Sequence, residues 1–594
     1  MKDLVRIGCW AAFWGDTPRA AEQILTVPDL DYMVGDHLAE ITMALLARAR
    51  AKDPEAGYVP DSVGVLAKIL PTLAERGIKV VTNGGALNPA AAAQALRDAV
   101  EQAGLSLRVA AVEGDDVLPM GEALLAAHPG DLFTGVPIPA GLSTMNAYLG
   151  ATPIARALDA GADIVVTGRC VDAAVVLGPL LHEFGWSEAD YDLLSAGSLV
   201  GHIVECGPQC TGGLHTDWWA VPGWENMGYP VAEVRRDGTA VITKPEGTGG
   251  LVTPATVSEQ ILYEIGDPGA YVMPDVVCDW REVCLEQAGP ERVAVSGARG
   301  SAPTRSYKVC ATHQDGYRVI ATALFAGLDA AGRARRAGEA MVARSGALIA
   351  AAGHEPLGDV SVEVVGAGDL VGDAFRPDTA AEAVLKIGLR HPRREALELF
   401  AGEFAPLALV AMGMTGGFAG RPRVAPVFAV YHLLADKTRV PVTVALEGET
   451  TTVPIAPGER DAPSASPELP RGGADAPGRG ESVPLRRIAY GRSGDKGDKA
   501  NVGLIARHPE LAAVIRDQVT PERVAAFFAH YDCGEVRGWE LPGLHAFNFV
   551  IDAVLGGTGG TSTLRYDAQG KSYAAMLLGV PVVVPAEWDR LLPD

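Results

Sequence analysis

The chain has 594 residues, of which 48% are hydrophobic and 21% are charged, a globular composition in a chain too long for one hydrophobic core. Its 50 basic and 73 acidic residues give a net charge of −23, which argues against nucleic acid and anionic membranes as partners. The eight cysteines form no C-x-x-C pair, so neither a disulfide scaffold nor a zinc ribbon is indicated.

The N-terminal sequence MKDLVRIG runs directly into an apolar, strand-like segment and does not resemble a signal peptide. The most apolar long stretch, residues 404–418, is rich in glycine and shorter than the ~20 residues that a bilayer requires. We therefore expect a cytoplasmic protein.

Apolar, β-rich runs alternate with helical stretches in the first part of the chain. Residues 78–82, 105–112 and 162–167 are predicted strands, and Asn88-Pro89 opens an alanine-rich helix that extends to residue 103. This alternation predicts an α/β fold, with a mostly parallel sheet covered by helices on both faces. Ligands of such sheets bind where the parallel strands end.

The regular alternation of strands and helices does not continue along the rest of the chain. Residues 272–277, 317–323 and 360–365 are predicted strands, and residues 330–352 a long helix, so we interpret residues 1–454 as one α/β region with lobes 1–249 and 250–454. Residues 455–484 are rich in Pro, Gly and Ala and are predicted to form a linker. Residues 485–594 have the length of a separate small domain.

The common cofactor and nucleophile motifs are missing from the sequence. It contains no G-x-x-x-x-G-K-[ST], no G-x-G-x-x-G after a strand, no G-x-S-x-G and no H-E-x-x-H. We therefore assign no cofactor and no metal site, and we look for function in clusters of polar residues.

The first cluster is Asp36, His37 and Glu40. If a helix begins near Asp36, these residues share one face, and a His beside carboxylates suits a general base or a metal ligand. The alternative is a helix N-terminus that Asp36 caps, with His37 in the first turn.

The second cluster lies in the segment GHIVECGPQCTGG. His202, Glu205 and Cys206 share one face of a helix that Gly207-Pro208 must end, and this spacing suits acid–base chemistry. The backbone N–H groups of Gly212 and Gly213 are candidate donors to an oxyanion. The alternative is a helix-capping region around a hydrogen-bonded, buried His.

Two further groups follow predicted strands. Arg169 and Asp172 come after the strand that ends in Thr167-Gly168, where they can bind a carboxylate or phosphate or merely pin the turn. The segment Asn83-Gly84-Gly85 follows residues 78–82 and is a candidate substrate-binding turn. Thr248, in the segment PEGTGGLVTP, can line a ligand or belong to a crossing between lobes.

The C-terminal domain carries a charged loop soon after it begins. Arg492, Ser493, Lys496 and Lys499 lie in AYGRSGDKGDKAN, where Lys side chains and backbone N–H groups can hold an anion. The alternative is a solvated, charged turn.

These segments together resemble the acyclic terpene utilisation (AtuA) family. The resemblance rests on RIGCWAAFWGD, VVTNGGALNP, GADIVVTGRCVDAA, GHIVECGPQCTGG, PEGTGGLVTPATVSEQILYEIGDP and AYGRSGDKGDKANVGLIAR. It implies an AtuA-type α/β region, a small α+β ferredoxin-like C-terminal domain, and a setting among acyl-CoA enzymes of branched acid and isoprenoid breakdown. The resemblance supplies no established catalytic residue.

We expect an enzyme acting on a branched acyl-CoA or its acid, a hydratase, lyase or isomerase, with coenzyme A thioester as substrate and a homo-oligomeric assembly. The catalytic candidates are Asp36, His37, Glu40, His202, Glu205 and Cys206. Two alternatives remain open: a non-catalytic partner of pathway acyl-CoA enzymes, and a metal-assisted hydrolase that uses the first cluster with His202.

Overall fold

The computed structural model describes residues 2–377, 380–415, 420–472, 480–557 and 562–592. The first part of the chain alternates strands and helices, as the sequence predicts. In chain order it forms β1 Leu4–Ala11, α1 Arg19–Ile24, β2 Tyr32–Gly35, α2 Glu40–Arg50, α3 Pro60–Arg76, β3 Lys79–Ala86, α4 Pro89–Gln102, β4 Val109–Glu113, α5 Gly121–Ala127, β5 Thr144–Ala147, α6 Thr152–Asp159, β6 Ile164–Gly168, α7 Ala174–Phe184 and α8 Tyr191–Val204.

The middle of the chain is richer in strands. It forms β7 Val231–Arg235, β8 Ala240–Thr243, α9 Pro254–Ile261, β9 Tyr271–Val272, β10 Val277–Asp279, β11 Cys284–Gly289, β12 Arg292–Ser296, β13 Arg299–Ser301, β14 Ser306–Ala326, α10 Ala330–Ala351, β15 Val360–Val365, β16 Glu382–His391, α11 Arg394–Glu403, β17 Val424–Asp436, β18 Thr443–Leu446 and β19 Glu449–Thr452. The C-terminal part forms β20 Glu481–Pro484, β21 Ala489–Lys496, β22 Lys499–Ala506, α12 Ala512–Gln518, α13 Pro521–Phe527, β23 Val536–Leu541, β24 Ala546–Ile551, α14 Tyr573–Leu577 and β25 Pro581–Val584.

A parallel core with antiparallel flanks forms the main sheet. Within the described residues its order is β11-β12-β8-β7-β1-β2-β3-β6-β4-β18-β19, and the strands from β1 to β4 in this order run parallel. Helices cover the parallel core, which confirms the predicted α/β class. The sheet also contains β11, β12, β18 and β19, all of which follow residue 250. It therefore combines strands from both predicted lobes.

Two predicted strands differ locally from the structure. β3 continues through Asn83-Gly84-Gly85 instead of turning there, and a Cβ on Gly85 would lie 2.6 Å from the carbonyl oxygen of Thr167, so glycine allows β6 to approach closely. The predicted strand 272–277 is split at Pro274, where the N–H of Met273 donates to the carbonyl of Val276 and closes a turn. The predicted long helix is confirmed as α10.

An antiparallel sheet of order β15-β16-β14-β17 packs against α10 and α11. The C-terminal part has its own antiparallel sheet, of order β21-β22-β24-β23, and its own hydrophobic core. A large α/β region followed by a small α+β unit is therefore the architecture, as the sequence predicts. In the described residues, no helix combines the length and apolarity needed to cross a membrane.

The C-terminal sheet is docked on the segment that follows α9. The amide of Asn501 donates to the carbonyl of Leu262 and accepts from the N–H of Glu264. Asn548 donates to the carbonyls of Ile265 and Gly266 at 3.0 and 2.7 Å. Both asparagines are buried, so these bonds fix the position of the C-terminal sheet against the α/β region.

The connecting segment is fastened to both parts of the molecule. The N–H of Ser466 donates to Asp267 at 2.7 Å, and the N–H of Leu469 donates to the carbonyl of Gly538 at 2.7 Å. The two parts are also joined by a bidentate ion pair, in which both Nη atoms of Arg507 donate to the Asp217 carboxylate at 2.6 Å. The C-terminal sheet is therefore held in a defined orientation.

Candidate functional site

Two of the predicted polar groups, the one at Asp36 and the one at Asn83, meet at one edge of the parallel sheet. Asp36 and His37 follow β2, and Asn83 lies near the end of the neighbouring β3. The amide of Asn83 donates to Asp36 at 2.5 Å, while its oxygen accepts the N–H of His37 at 2.8 Å. The bonded geometry explains why a polar residue is buried here: Asn83 is 0% exposed.

Arg169 joins this group from the end of β6. Its Nη1 donates to the carbonyl of Leu38 and to Asp172, both at 2.9 Å, and its guanidinium lies 4.1 Å from the ring centre of Tyr148. The side chain is almost fully buried. Arg169 and Asp172 therefore form the predicted ion pair. The Arg169 side chain is buried at the sheet edge, and the Asp172 carboxylate is partly exposed.

His202 and Glu205 form a buried pair at the end of α8. His202 Nδ1 lies 3.1 Å from Glu205 Oε1, and Nε2 lies 3.1 Å from the carbonyl oxygen of Ile261. A carbonyl only accepts, so Nε2 carries a proton and donates. One further proton must then lie between Nδ1 and Glu205, on either the imidazole or the carboxyl group.

The charges of these separate segments act on one another. Burial raises the pKa of Asp36 well above its usual value, the charge of Asp172 raises it further, and Arg169 opposes both. Burial also raises the pKa of Glu205, against the effects of His202 and Lys496. Residues far apart in sequence therefore lie within electrostatic reach of one another and form one largely buried polar cluster, which we call the crevice.

The C-terminal domain supplies cations to this crevice. Lys496 donates to Glu264 at 3.2 Å, and Lys571 lies 3.6 Å from the other oxygen of Glu264. Arg492 lies 4.4 Å from the ring centre of Tyr263 and donates to Gln209. The partly exposed members of the crevice are Asp172, Glu264, Lys496 and Lys571.

His37 lies in this group, and its ring makes no hydrogen bond of regular geometry to a described residue. It is 3% exposed, and its ring packs edge-on against Trp10 at 5.1 Å. Burial lowers the pKa of His37 to about 4, with a smaller opposing effect of the Phe13 backbone. The imidazole is therefore neutral at pH 7.

Several predicted residues have structural surroundings that change their interpretation. Helix α2 begins at Glu40, so Asp36 and His37 precede it and do not share a helical face with Glu40, whose side chain lies outside the described residues. Burial raises the pKa of Cys206 well above its usual value, which leaves a neutral thiol and a poor nucleophile.

The predicted glycine oxyanion donors are wrong. The N–H groups of Gly212 and Gly213 both donate to the carbonyl of Pro208, because Gly212, at φ 97°, ends a short 3₁₀ helix in the left-handed region. Thr248 donates within its own turn to Pro245 at 2.6 Å. Ser493 donates to the carbonyl of Gly570 at 2.6 Å and accepts from Ala574, so it fastens α14.

Asp115 belongs to the site, although the sequence analysis missed it. It accepts the N–H of Arg169 at 2.9 Å and the amide of Asn146 at 2.8 Å, and thereby holds the turn after β6. The available signal was Gly114-Asp115, directly after β4, at the same sheet edge. Glu264 and Lys571 were also missed, since neither follows a parallel strand.

The Asp115→Asn substitution should remove a pH-dependent loss of stability. Burial raises the pKa of Asp115 from 3.8 to about 7, so the folded chain holds an extra proton between these values. Its contribution to stability therefore falls as the pH rises from ~4 to ~7, by up to about 4 kcal/mol. Urea unfolding measures the free energy of unfolding at pH 5 and pH 8, and the variant should be more stable relative to the wild type at pH 8 than at pH 5. An equal change with pH in both proteins would contradict this.

The metal-assisted alternative depends on Asp36, His37 and Glu40, and the side chain of Glu40 lies outside the described residues. Among the side chains that the structure describes, no three His, Cys, Asp or Glu residues are grouped as a metal site requires. His202 uses both ring nitrogens in other bonds.

A separate groove of about 700 Å³ lies between β15 and the C-terminal domain. None of the predicted site residues lines it. Two of its arginines are already paired, Arg335 with Asp369 and Arg376 with Asp373. Volume alone therefore does not make it the functional site.

The fold and the crevice together define a two-domain α/β protein with a charged site at the ends of parallel strands, completed by the C-terminal domain. The family model described as "Acyclic terpene utilisation family protein AtuA" matches residues 5–446, and the model of the AtuA ferredoxin-like domain matches residues 483–583. The chain belongs to the AtuA family, and its C-terminal domain is ferredoxin-like, as the sequence motifs indicate. Comparisons with curated proteins and with solved structures find no match.

Proposed function

We propose that this protein catalyses acid–base proton transfer on a branched acyl-CoA or its acid in acyclic terpene breakdown, as a hydratase, lyase or isomerase. Family membership suggests the role in acyclic terpene utilisation. The observation that carries the chemistry is the buried contact of 3.1 Å between His202 Nδ1 and Glu205 Oε1, with Arg169 and Lys496 in the same crevice.

Glu205 is the residue we assign to proton transfer. Its pKa is raised by burial, so the carboxyl group holds a proton nearer to neutral pH than an exposed glutamate does. His202 is 2% exposed and is bonded to Glu205 and the Ile261 carbonyl, so we assign it a positioning role. Lys496, whose side chain is 52% exposed, is the entry cation for an anionic substrate.

Arg169 is the candidate for stabilising negative charge that develops on the substrate. Its Nε and the indole N–H of Trp10 are buried without a hydrogen bond, and buried donors of this kind favour an oxygen atom of a ligand. They replace Gly212 and Gly213 in this role, since those N–H groups are occupied.

A substrate screen tests the proposal. The full chain is incubated in D₂O with geranyl-, citronellyl- and methylglutaconyl-type CoA esters and with the free acids, and deuterium incorporation and hydration are followed by NMR. We expect turnover of at least one compound, lost in His202→Ala and kept in His182→Ala, a half-buried histidine near the end of α7 that is paired with Asp159. Wild-type protein without exchange or turnover on any compound would refute the proposal.

A non-catalytic partner of pathway acyl-CoA enzymes is the second candidate. It is favoured by a cluster of exposed tryptophans, Trp218, Trp219 and Trp224, each about 60% exposed and with ring centres 5.8–6.2 Å apart. A stable complex with a pathway enzyme, abolished by Trp219→Ser in a chain that shows no turnover, would favour this candidate over the first.

A further inference from the structure

An exposed aromatic ring lies between two lysines where the two domains meet. Phe133 is 53% exposed and belongs to the loop between α5 and β5. Lys308 Nζ, from β14, lies 6.0 Å from its ring centre, and Lys499 Nζ, from β22 of the C-terminal domain, lies 5.8 Å from it. We call these three side chains the Phe133 platform.

The platform is rigid despite its exposure. Buried Asp131 accepts the N–H groups of Phe133, Thr134 and His432, at 3.1, 2.8 and 2.6 Å, which fixes the loop on β17. The ring of His432 packs edge-on against Phe133 at 5.1 Å. Because the ring is held in place, a ligand that stacks on it loses little extra entropy.

Side-chain contacts connect the platform to the crevice. Lys308 Nζ also lies 4.8 Å from the ring centre of Tyr148, and the same ring contacts the guanidinium of Arg169 at 4.1 Å. A line of contacts therefore leads from Phe133 past Lys308 and Tyr148 to Arg169.

Basic side chains from both domains lie at the platform. Lys499 forms an ion pair with Asp552 at 3.0 Å, but Asp552 is also shared with Arg537 at 3.6 Å. One carboxylate is thus shared by two cations on the Lys499 side of the ring. An exposed ring flanked by cations suits a ligand with a flat aromatic part and phosphate groups.

We propose that the Phe133 platform binds the adenine nucleotide part of an acyl carrier, with the base on Phe133 and phosphates at Lys308 and Lys499. This inference rests on the proposed function and deepens it, because it assigns the substrate as the nucleotide-linked thioester and not the free acid. It also gives the C-terminal domain a direct part in substrate binding through Lys499.

Titration calorimetry of the full chain with coenzyme A, ADP and pantetheine tests the platform. We expect coenzyme A and ADP to bind at low salt, to weaken as salt is raised, and to bind at least tenfold more tightly than pantetheine. Phe133→Ala and Lys499→Ala should each weaken coenzyme A binding about tenfold. Lys68→Ala, an exposed lysine on α3, should have no effect. Equal affinity for coenzyme A and pantetheine, or unchanged affinity in Phe133→Ala, would overturn the inference.

Binding and turnover separate this inference from the proposed function. Turnover of a free acid by a chain that does not bind coenzyme A or ADP would overturn the platform and leave the proton-transfer proposal standing. Binding of coenzyme A that depends on Phe133, without turnover of any ester, would support the platform and count against the catalytic proposal.

Discussion

The Glu205→Gln substitution is expected to lower kcat by about 10²–10⁴-fold, the usual contribution of a positioned acid or base. The glutamine amide keeps the size of the side chain and can still bond to His202 Nδ1, so the loss would come from the missing ionisable proton. Glu205 is 11% exposed, which makes rescue by solvent inefficient. Steady-state kinetics on the substrate found by the screen measures the effect.

The pH profile of the same pair of proteins distinguishes proton transfer from a structural role. Because burial raises the pKa of Glu205, an acid role predicts that wild-type kcat falls as the pH rises through that pKa. This alkaline decline should be missing from Glu205→Gln. The exposed Glu225 provides a matched control, since Glu225→Gln should retain wild-type kcat and profile. An unchanged kcat in Glu205→Gln would remove the assignment.

The part of the crevice that parallel strands position could be predicted from the sequence. Asp36, Asn83 and Arg169 come at the ends of β2, β3 and β6, and neighbouring parallel strands bring their carboxyl ends to one edge. The pairing of His202 with Glu205 was also predictable, because i and i+3 lie on the same side of a helix. Such relations depend on local geometry that the residue pattern determines.

The remaining parts of the site depend on contacts that local patterns do not specify. Glu264 meets Lys496 and Lys571 only because the C-terminal sheet docks on the end of α9. A glycine pair after a proline can either expose its N–H groups or cap a helix. Gly212 and Gly213 cap a helix, because both N–H groups donate to the carbonyl of Pro208. The ring of Phe133 gains its significance from Lys499, more than 350 residues later in the chain.

The Asn548→Leu substitution is expected to undock the C-terminal domain. Asn548 is 0% exposed, donates to the carbonyls of Ile265 and Gly266, and accepts from Asn501. Leucine has a similar volume but leaves these buried groups without partners, at about 1–3 kcal/mol for each group. We therefore expect the urea midpoint of the C-terminal domain to fall and proteolysis between residues 455 and 484 to accelerate.

The same substitution should also alter the crevice, because Lys496 and Lys571 approach Glu264 only when the C-terminal domain is docked. Loss of docking should therefore lower both the affinity for an anionic substrate and kcat. Gln569→Leu places the same side chain at an exposed position of the same domain and should leave midpoint, proteolysis and kinetics unchanged. If Asn548→Leu behaved like this control, the interface bonds would not hold the domains together, and the crevice would have to function without the C-terminal cations.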